Sequence, residues 1–174
     1  MAINQSGSPI GVFIDLATAK LHMVVEFTDD DTIIQSYIDA AEDYLERVCG
    51  TVFRTTEFTF TGTDFNLCFE NYPNAAISSV TYEDSLGATI SVVDYSIVDD
   101  VLTLETTPTD VESVTVVFTA GLGAGNVPAS LTTAAILIAA GMYEERAENT
   151  MAERYALSFG VKQLIAPHRV FAYG

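Results

Sequence analysis

Tryptophan is absent from this chain, histidine occurs twice and cysteine twice, and Lys and Arg together number only seven against 24 Asp and Glu. Each shortage removes a class of function. Between Arg54 and Arg146 there is no Lys or Arg, so tight direct binding to nucleic acid, which needs cations for phosphates, is disfavoured. Cys49 and Cys68 are too few and too far apart for a metal site, and they read as free buried thiols. With only His22 and His168, general-base chemistry has few candidates. His22 has neither a second ligand nor a nucleophile near it and reads as a surface or packing residue. No nucleophile elbow, phosphate-binding Gly-Lys loop or His-Glu pair at zinc spacing is present. Adjacent acids such as Glu144 and Glu145 would not face each other across a substrate as a glycosidase requires. Enzyme is therefore the weaker class, and no cofactor or metal is expected.

Long hydrophobic runs are also missing. The most apolar stretch, Leu131 to Tyr143, covers about thirteen residues against the roughly twenty that span a bilayer, so it reads as a buried core helix and no membrane contact is expected. Gly121, Gly123 and Gly125 make the approach to it a loop, and Pro128 suits the first helical turn. A helix apolar nearly all round must be enclosed by other elements. No basic n-region precedes an apolar run at the N-terminus, so the chain is expected to be made and kept in a cytoplasm. The net charge of −17 favours solubility. It is uneven, because Arg146, Arg154, Lys162 and Arg169 all fall in the last 29 positions. An acidic body beside a locally basic tail suits docking onto another acidic surface, including a second copy of the chain.

Along the chain, residues 1–12 are polar with Gly7, Pro9 and Gly11, and read as a flexible arm. Asp15 is placed to cap a short helix over Leu16 to Val25. Thr28, Asp29, Asp30 and Asp31 supply capping oxygens for a second helix, in which Ile33, Ile34, Tyr37, Ile38, Ala41, Tyr44, Leu45 and Val48 form an apolar stripe. Gln35, Asp39, Glu42, Asp43 and Glu46 fill its outer face, and Gly50 ends it. The Asp triplet lacks the alternating ligands, central Gly and terminal Glu of a calcium loop. From Val52 to Thr119 the period falls to about two, with strands at Phe58 to Phe60, Leu67 to Phe69, Ile77 to Tyr82, Thr89 to Val93, Tyr95 to Val98, Val101 to Leu104 and Val114 to Phe118. Turn chemistry separates them, including Glu83 to Gly87 and Asp99-Asp100. The order of helices, strands and helix indicates an α+β fold: a small helical core, made of the N-terminal helix pair and the buried helix of the C-terminal half, with an inserted antiparallel β-hairpin region. In one connected domain the boundaries are 1–12 for the arm, 13–50 for the helix pair, 52–119 for the strands, 127–148 for the buried helix and 149–174 for a tail. That tail is apolar for a terminus, and Pro167 prevents one continuous helix through it; it either folds back on the core or reaches a partner.

Four segments together resemble the small head-to-tail connector, or adaptor, proteins of long-tailed bacteriophages and related prophages. They are LATAKLHMVVEFTDDDTIIQSYIDAAEDYLERVCGTVF, ISSVTYEDSLGATISVVDYSI, VTVVFTAGLGAGNVPASLTTAAILIAAGMYEERAE and FGVKQLIAPHR, in the family's order. The chain departs from the pattern at Glu70-Asn71-Tyr72-Pro73, where Leu-Pro usually opens the middle hairpin, and at His168, where an aromatic usually precedes Arg. The resemblance implies a structural virion protein at the head-to-tail interface, assembled in the host cytoplasm. Copies would form a dodecameric ring between the portal and a stopper or tail-completion protein, with DNA passing through as non-specific cargo. On that reading Phe159, Val161, Lys162, Leu164, Ile165, Pro167, Arg169 and Phe171 are expected to dock on the portal or a neighbouring subunit and to order on doing so. Asp99 and Asp100 are expected to face the channel and repel phosphates. The alternative is a stand-alone β-rich binding module for a carbohydrate or protein ligand, with Phe58, Phe60, Phe65, Phe69, Tyr72, Tyr82 and Tyr95 lining its surface.

Overall fold

A computed structural model describes residues 2–11, 13–123, 125–144 and 159–170. The fold is α+β, and the chain forms two compact units, one from Met1–Gly11 with Val52–Gly123 and the other from Val12–Thr51 with Ala124–Gly174. Among the described residues no helix is long and apolar enough to cross a membrane.

The first unit holds seven strands, numbered in chain order: β1 (Ala2–Gln5), β2 (Thr56–Gly62), β3 (Ala76–Glu83), β4 (Thr89–Val92), β5 (Tyr95–Val98), β6 (Val101–Leu104) and β7 (Ser113–Ala120). Five form one sheet in the order β1-β2-β7-β3-β4, antiparallel throughout, and β5 pairs with β6 as a separate hairpin. β7 is central because its sequence suits that place. Val114, Val116, Phe118 and Ala120 are fully buried while the residues between them are half-buried, so the strand has no wet face. Phe118 lies 5.6 Å from Phe58, 5.0 Å from Phe69 and 5.3 Å from Tyr72, the last two edge to face. Burying one such ring stabilises by about 1.5–3 kcal/mol, and each favourable ring pair adds about 0.5–1.5 kcal/mol.

Turn residues fix the hairpins. Asp84 Oδ1 accepts from the N–H groups of Leu86 and Ala88 at 3.0 and 2.8 Å, closing the β3–β4 turn with Gly87 at φ 78°. Gly121 leaves the sheet at φ 141°, and a Cβ there would sit 2.4 Å from the Arg54 carbonyl oxygen. Only glycine fits that crossing.

N-terminal residues expected as a flexible arm instead include β1. Ala2, Ile3, Asn4 and Gln5 pair with Thr61, Phe60, Thr59 and Phe58, and the Ser6 and Gly7 N–H groups both donate to the Glu57 carbonyl. The segment is polar because most of it lies exposed on an outer strand, not because it lacks partners. Cys68, expected to be buried, is exposed, whereas Cys49 is buried as expected.

The second unit holds α1 (Leu16–Met23), α2 (Asp31–Cys49), α3 (Ala129–Glu144), α4 (Phe159–Ile165) and a 3-10 turn over Ala166–His168. α3 packs against α1, α2 and α4. Its buried residues, Leu131, Ala134, Ala135, Ile138, Ala139 and Ala140, are mostly alanine, which lets neighbouring helices come close. Enclosure is incomplete, since Thr133, Leu137 and Gly141 share an exposed stripe. Asp15 caps α1 as expected, accepting from Ala17 and Thr18 N–H at 2.8 and 3.1 Å, and Gly50 ends α2 at φ 70°. α1 stops at Met23, two residues earlier than its pattern suggests, because Val24 turns to φ 57°.

Three expectations for α2 are corrected. Ile33 and Tyr44, assigned to the apolar stripe, are exposed, because they lie at the margins of the Ile34, Ile38, Ala41 and Leu45 line that packs inward. Glu42, assigned to the outer face, is buried, and its Oε1 accepts from the N–H groups of Phe13 and Ile14 at 3.1 and 2.9 Å. It anchors the incoming chain, whose two backbone donors would otherwise be buried without acceptors. The Asp triplet does not cap through its side chains at Asp30, which makes no such bond. Instead Asp30 Oδ2 accepts from the Tyr143 hydroxyl at 2.7 Å and Asp31 Oδ1 pairs with Lys20 Nζ at 2.5 Å. These acids tie α2 to α3 and α1.

Candidate assembly surfaces

The residues expected to dock divide into buried and exposed sets. Val161 and Ile165, one turn apart on α4, are 4% and 2% exposed. Lys162, Pro167 and Arg169 are exposed and Leu164 is half-buried. Phe159 starts α4, but its side chain and all of Phe171 lie outside the described residues. A segment expected to order only on docking is thus, over α4, a helix with a buried face in the isolated chain. Its apolar periodicity is satisfied inside the second unit. The end of this segment is fastened where Ser130 Oγ and His168 Nε2 lie 2.7 Å apart and where the Val170 N–H donates to the Cys49 carbonyl at 2.8 Å. Burial pushes the Cys49 thiol pKa up, and the nearby Arg169 charge partly offsets this. Arg169 therefore lies beside the C-terminus of α2, where a cation is favourable.

Asp99 and Asp100 are the two central residues of the β5–β6 turn, both with positive φ, 49° and 61°. That is the I′ geometry that matches the twist of a two-residue hairpin, and Asp tolerates it better than most residues. Both side chains are exposed, at the tip of the hairpin. The expected channel pair is thus brought together by local backbone geometry.

The aromatics that would line a ligand surface point elsewhere. Phe60 and Phe69 are fully buried, and Phe58, Phe65, Tyr72, Tyr82 and Tyr95 are half-buried against the same core. Burial raises the Tyr72 phenol pKa. An open groove on α2 is lined by Leu16, Asp31, Thr32, Gln35, Ser36 and Asp39; it is acidic and shallow. Among the described residues no group of three His, Cys, Asp or Glu is placed to hold a metal ion.

Sequence reading missed the exposed apolar residues. Leu21, Val24 and Phe27 are 82%, 83% and 52% exposed around the end of α1, and Leu86 and Val93 are 89% and 79% exposed on either side of β4. For Leu21 the signal was available, because it falls outside the Leu16, Ala19, Met23 stripe. For β4 it was not, since alternation cannot tell an outer strand from an inner one.

Comparison with known proteins gives a consistent result. The sequence profile of the family described as phage gp6-like head-tail connector protein matches residues 13–169. No curated protein matches the sequence significantly. Among solved structures, a chain in the virion of a native gene transfer agent particle aligns over 98% of this chain and 96% of its own, with a TM-score of 0.78 and 22% identity. Chains in the neck of the empty particle, computed with C6 symmetry, and in the neck of the native particle, computed with C12 symmetry, each align with a TM-score of 0.76 and 24% identity over 98% of this chain and 96% of theirs.

Proposed function

The chain belongs to the phage gp6-like head-tail connector family, and from that premise we propose that it is a structural neck protein whose copies form a twelve-membered ring between the portal and a stopper or tail-completion protein. The observation that carries this reading is the profile match, which spans both compact units. The related chains come from necks computed with sixfold and twelvefold symmetry, and a closed ring of identical copies requires two different surfaces on each.

On this reading the exposed part of the C-terminal segment, Lys162, Pro167 and Arg169, meets the portal or the next copy, while Val161 and Ile165 hold it on the subunit and Leu164 bridges the two roles. Phe159 and Phe171 belong to the same docking segment. The hairpin tip carrying Asp99 and Asp100 faces the channel, where carboxylates repel phosphates and let DNA slide past. The role is mechanical and involves no catalytic step. Assembly takes place in the host cytoplasm and the finished protein resides in the virion.

The test is negative-stain electron microscopy with light scattering over a range of protein concentrations, alone and with purified portal. Rings with an open centre support the reading. A chain that stays monomeric in both settings overturns it. Replacing Asp99 and Asp100 by Lys should slow DNA passage in assembled particles; unchanged passage removes them from the channel.

A further inference from the structure

The sheet of the first unit ends in two strands that pair on one side only, β1 with β2 and β4 with β3. An outer strand leaves a row of N–H and C=O groups open to any strand offered, and folded proteins ordinarily blunt such edges with Lys, Pro, bulges or inward charges. Both edge strands are short, four residues each, which limits such pairing, but neither is blunted by charge, proline or a bulge. β1 reads AINQ and β4 reads TISV. No Asp, Glu, Lys, Arg or Pro occurs from Ala2 to Ser8 or from Ala88 to Val93. Among the described residues the register shift in the sheet's pairing lies inside it, between Ile77 and Ser79 of β3 on the β7 side.

Charge elsewhere narrows where copies can meet. From Val52 to Gly123 the chain carries Arg54 and 11 acidic residues, many of them in the turns. Two copies meeting through those turns would oppose like charges, which is destabilising. The two edges can meet without doing so. β1 and β4 are each four residues long, and Ile90 in β4 and Val93 just after it are apolar and 38% and 79% exposed. They also lie at opposite ends of one sheet. Joining β4 of one copy to β1 of the next therefore uses two different surfaces and leaves a free edge at each end of the pair, so the contact repeats and can close into a ring. Joining like edges would stop at a dimer.

We infer that neighbouring copies are linked by strand addition, the outer edge of β4 on one copy pairing with the outer edge of β1 on the next. The occupant of each edge is a second copy of this chain, held by main-chain hydrogen bonds. This rests on the ring reading above and adds the surface that makes the ring.

The test is a cysteine scan in a background in which the exposed thiol is removed by Cys68→Ser. Asn4→Cys is combined in turn with Thr89→Cys, Ile90→Cys, Ser91→Cys and Val92→Cys, which samples each register that sets Asn4 opposite a β4 residue, and assembled rings are oxidised and run without reductant. At least one combination should give a ladder of covalent multimers up to ring size, while each single substitution gives none. Hydrogen exchange on the natural sequence provides the second measurement: amides of Ala2–Gln5 and Thr89–Val92 should slow at least tenfold on assembly. Intact rings with neither ladder nor protection overturn strand addition and leave the ring standing. Failure to form rings, alone or on portal, removes the ring and this inference together. Protection that appears only with portal, and without a ladder, assigns the edges to a portal strand and overturns pairing between copies.

Discussion

Replacing Ile165 by Ala distinguishes a tail that is already folded from one that waits for a partner. Ile165 is 2% exposed on α4, which packs on α3. The substitution removes three carbons, worth about 0.8 kcal/mol each as lost transfer free energy. The residual cavity brings the total for a buried Ile→Ala change to about 2–5 kcal/mol. Val161→Ala, at a site 4% exposed, removes two carbons and should cost about 2 kcal/mol or somewhat more. Lys162→Ala, on the exposed side of the same helix, should stay within about 0.5 kcal/mol. The assay is urea unfolding of the uncomplexed chain followed by helical circular dichroism, since every described helix belongs to the second unit. With a slope of about 2 kcal/mol per molar urea, Ile165→Ala should lower the midpoint by about 1–2.5 M. An unchanged midpoint would refute the packing of α4 in the free subunit and restore a tail that orders only on docking.

Glu42→Ala should cost about 2–5 kcal/mol, because the Phe13 and Ile14 N–H groups lose their acceptor inside the protein. Glu42→Gln keeps an acceptor oxygen and should cost about 1 kcal/mol; equal melting temperatures for the two variants would contradict the anchoring role. Asp15 is held below its ordinary carboxyl pKa, first by the Thr18 hydroxyl and then by the Thr18 N–H. Its support of α1 is therefore complete above the unfolded value of about 3.9 and is lost as pH falls through the lowered folded value. Asp15→Asn should flatten that acid limb in a helicity titration, and an identical limb in the variant would assign it to other carboxylates. Ring assembly should strengthen from about 0.01 M salt, where the screening length is roughly 30 Å, to about 0.15 M, where it is roughly 8 Å. Each copy carries −17, and the proposed strand contact involves no charge. Rings that dissociate over this range by light scattering would mean that attraction to the basic tail holds them.

Elements with strong local signals were legible in the sequence. The buried line of the α2 stripe, Ile34, Ile38, Ala41 and Leu45, the Asp15 cap, the Gly50 stop and the hairpins all depend on residues within a few positions of one another. What was not legible depends on partners distant in sequence. Glu42 sits among Asp39, Asp43 and Glu46 in a pattern that reads as outer face, and only the approach of Phe13 and Ile14 makes it interior. β1 carries one half-buried apolar residue, Ile3, so nothing local marks it as a strand. Its identity comes from β2, more than fifty residues later. The same limit applies to the tail, where Val161 and Ile165 read as available apolar surface because α3 cannot be seen beside them.

The placement of charge follows a related logic. A carboxylate at a turn, as at Asp84 or Asp99 and Asp100, serves local geometry by bonding the backbone or tolerating positive φ, and it needs no partner across the fold. A carboxylate on α2, as at Asp30, Asp31 or Glu42, serves a distant group. These six acids are thus divided between shaping hairpins and tying helices. Uncharged stretches on the outside of the first unit include β1, β4 and the exposed Ser96, Ile97 and Val98 of β5. A surface so acidic excludes most contacts between copies, and the positions without charge are therefore where self-assembly has room to occur.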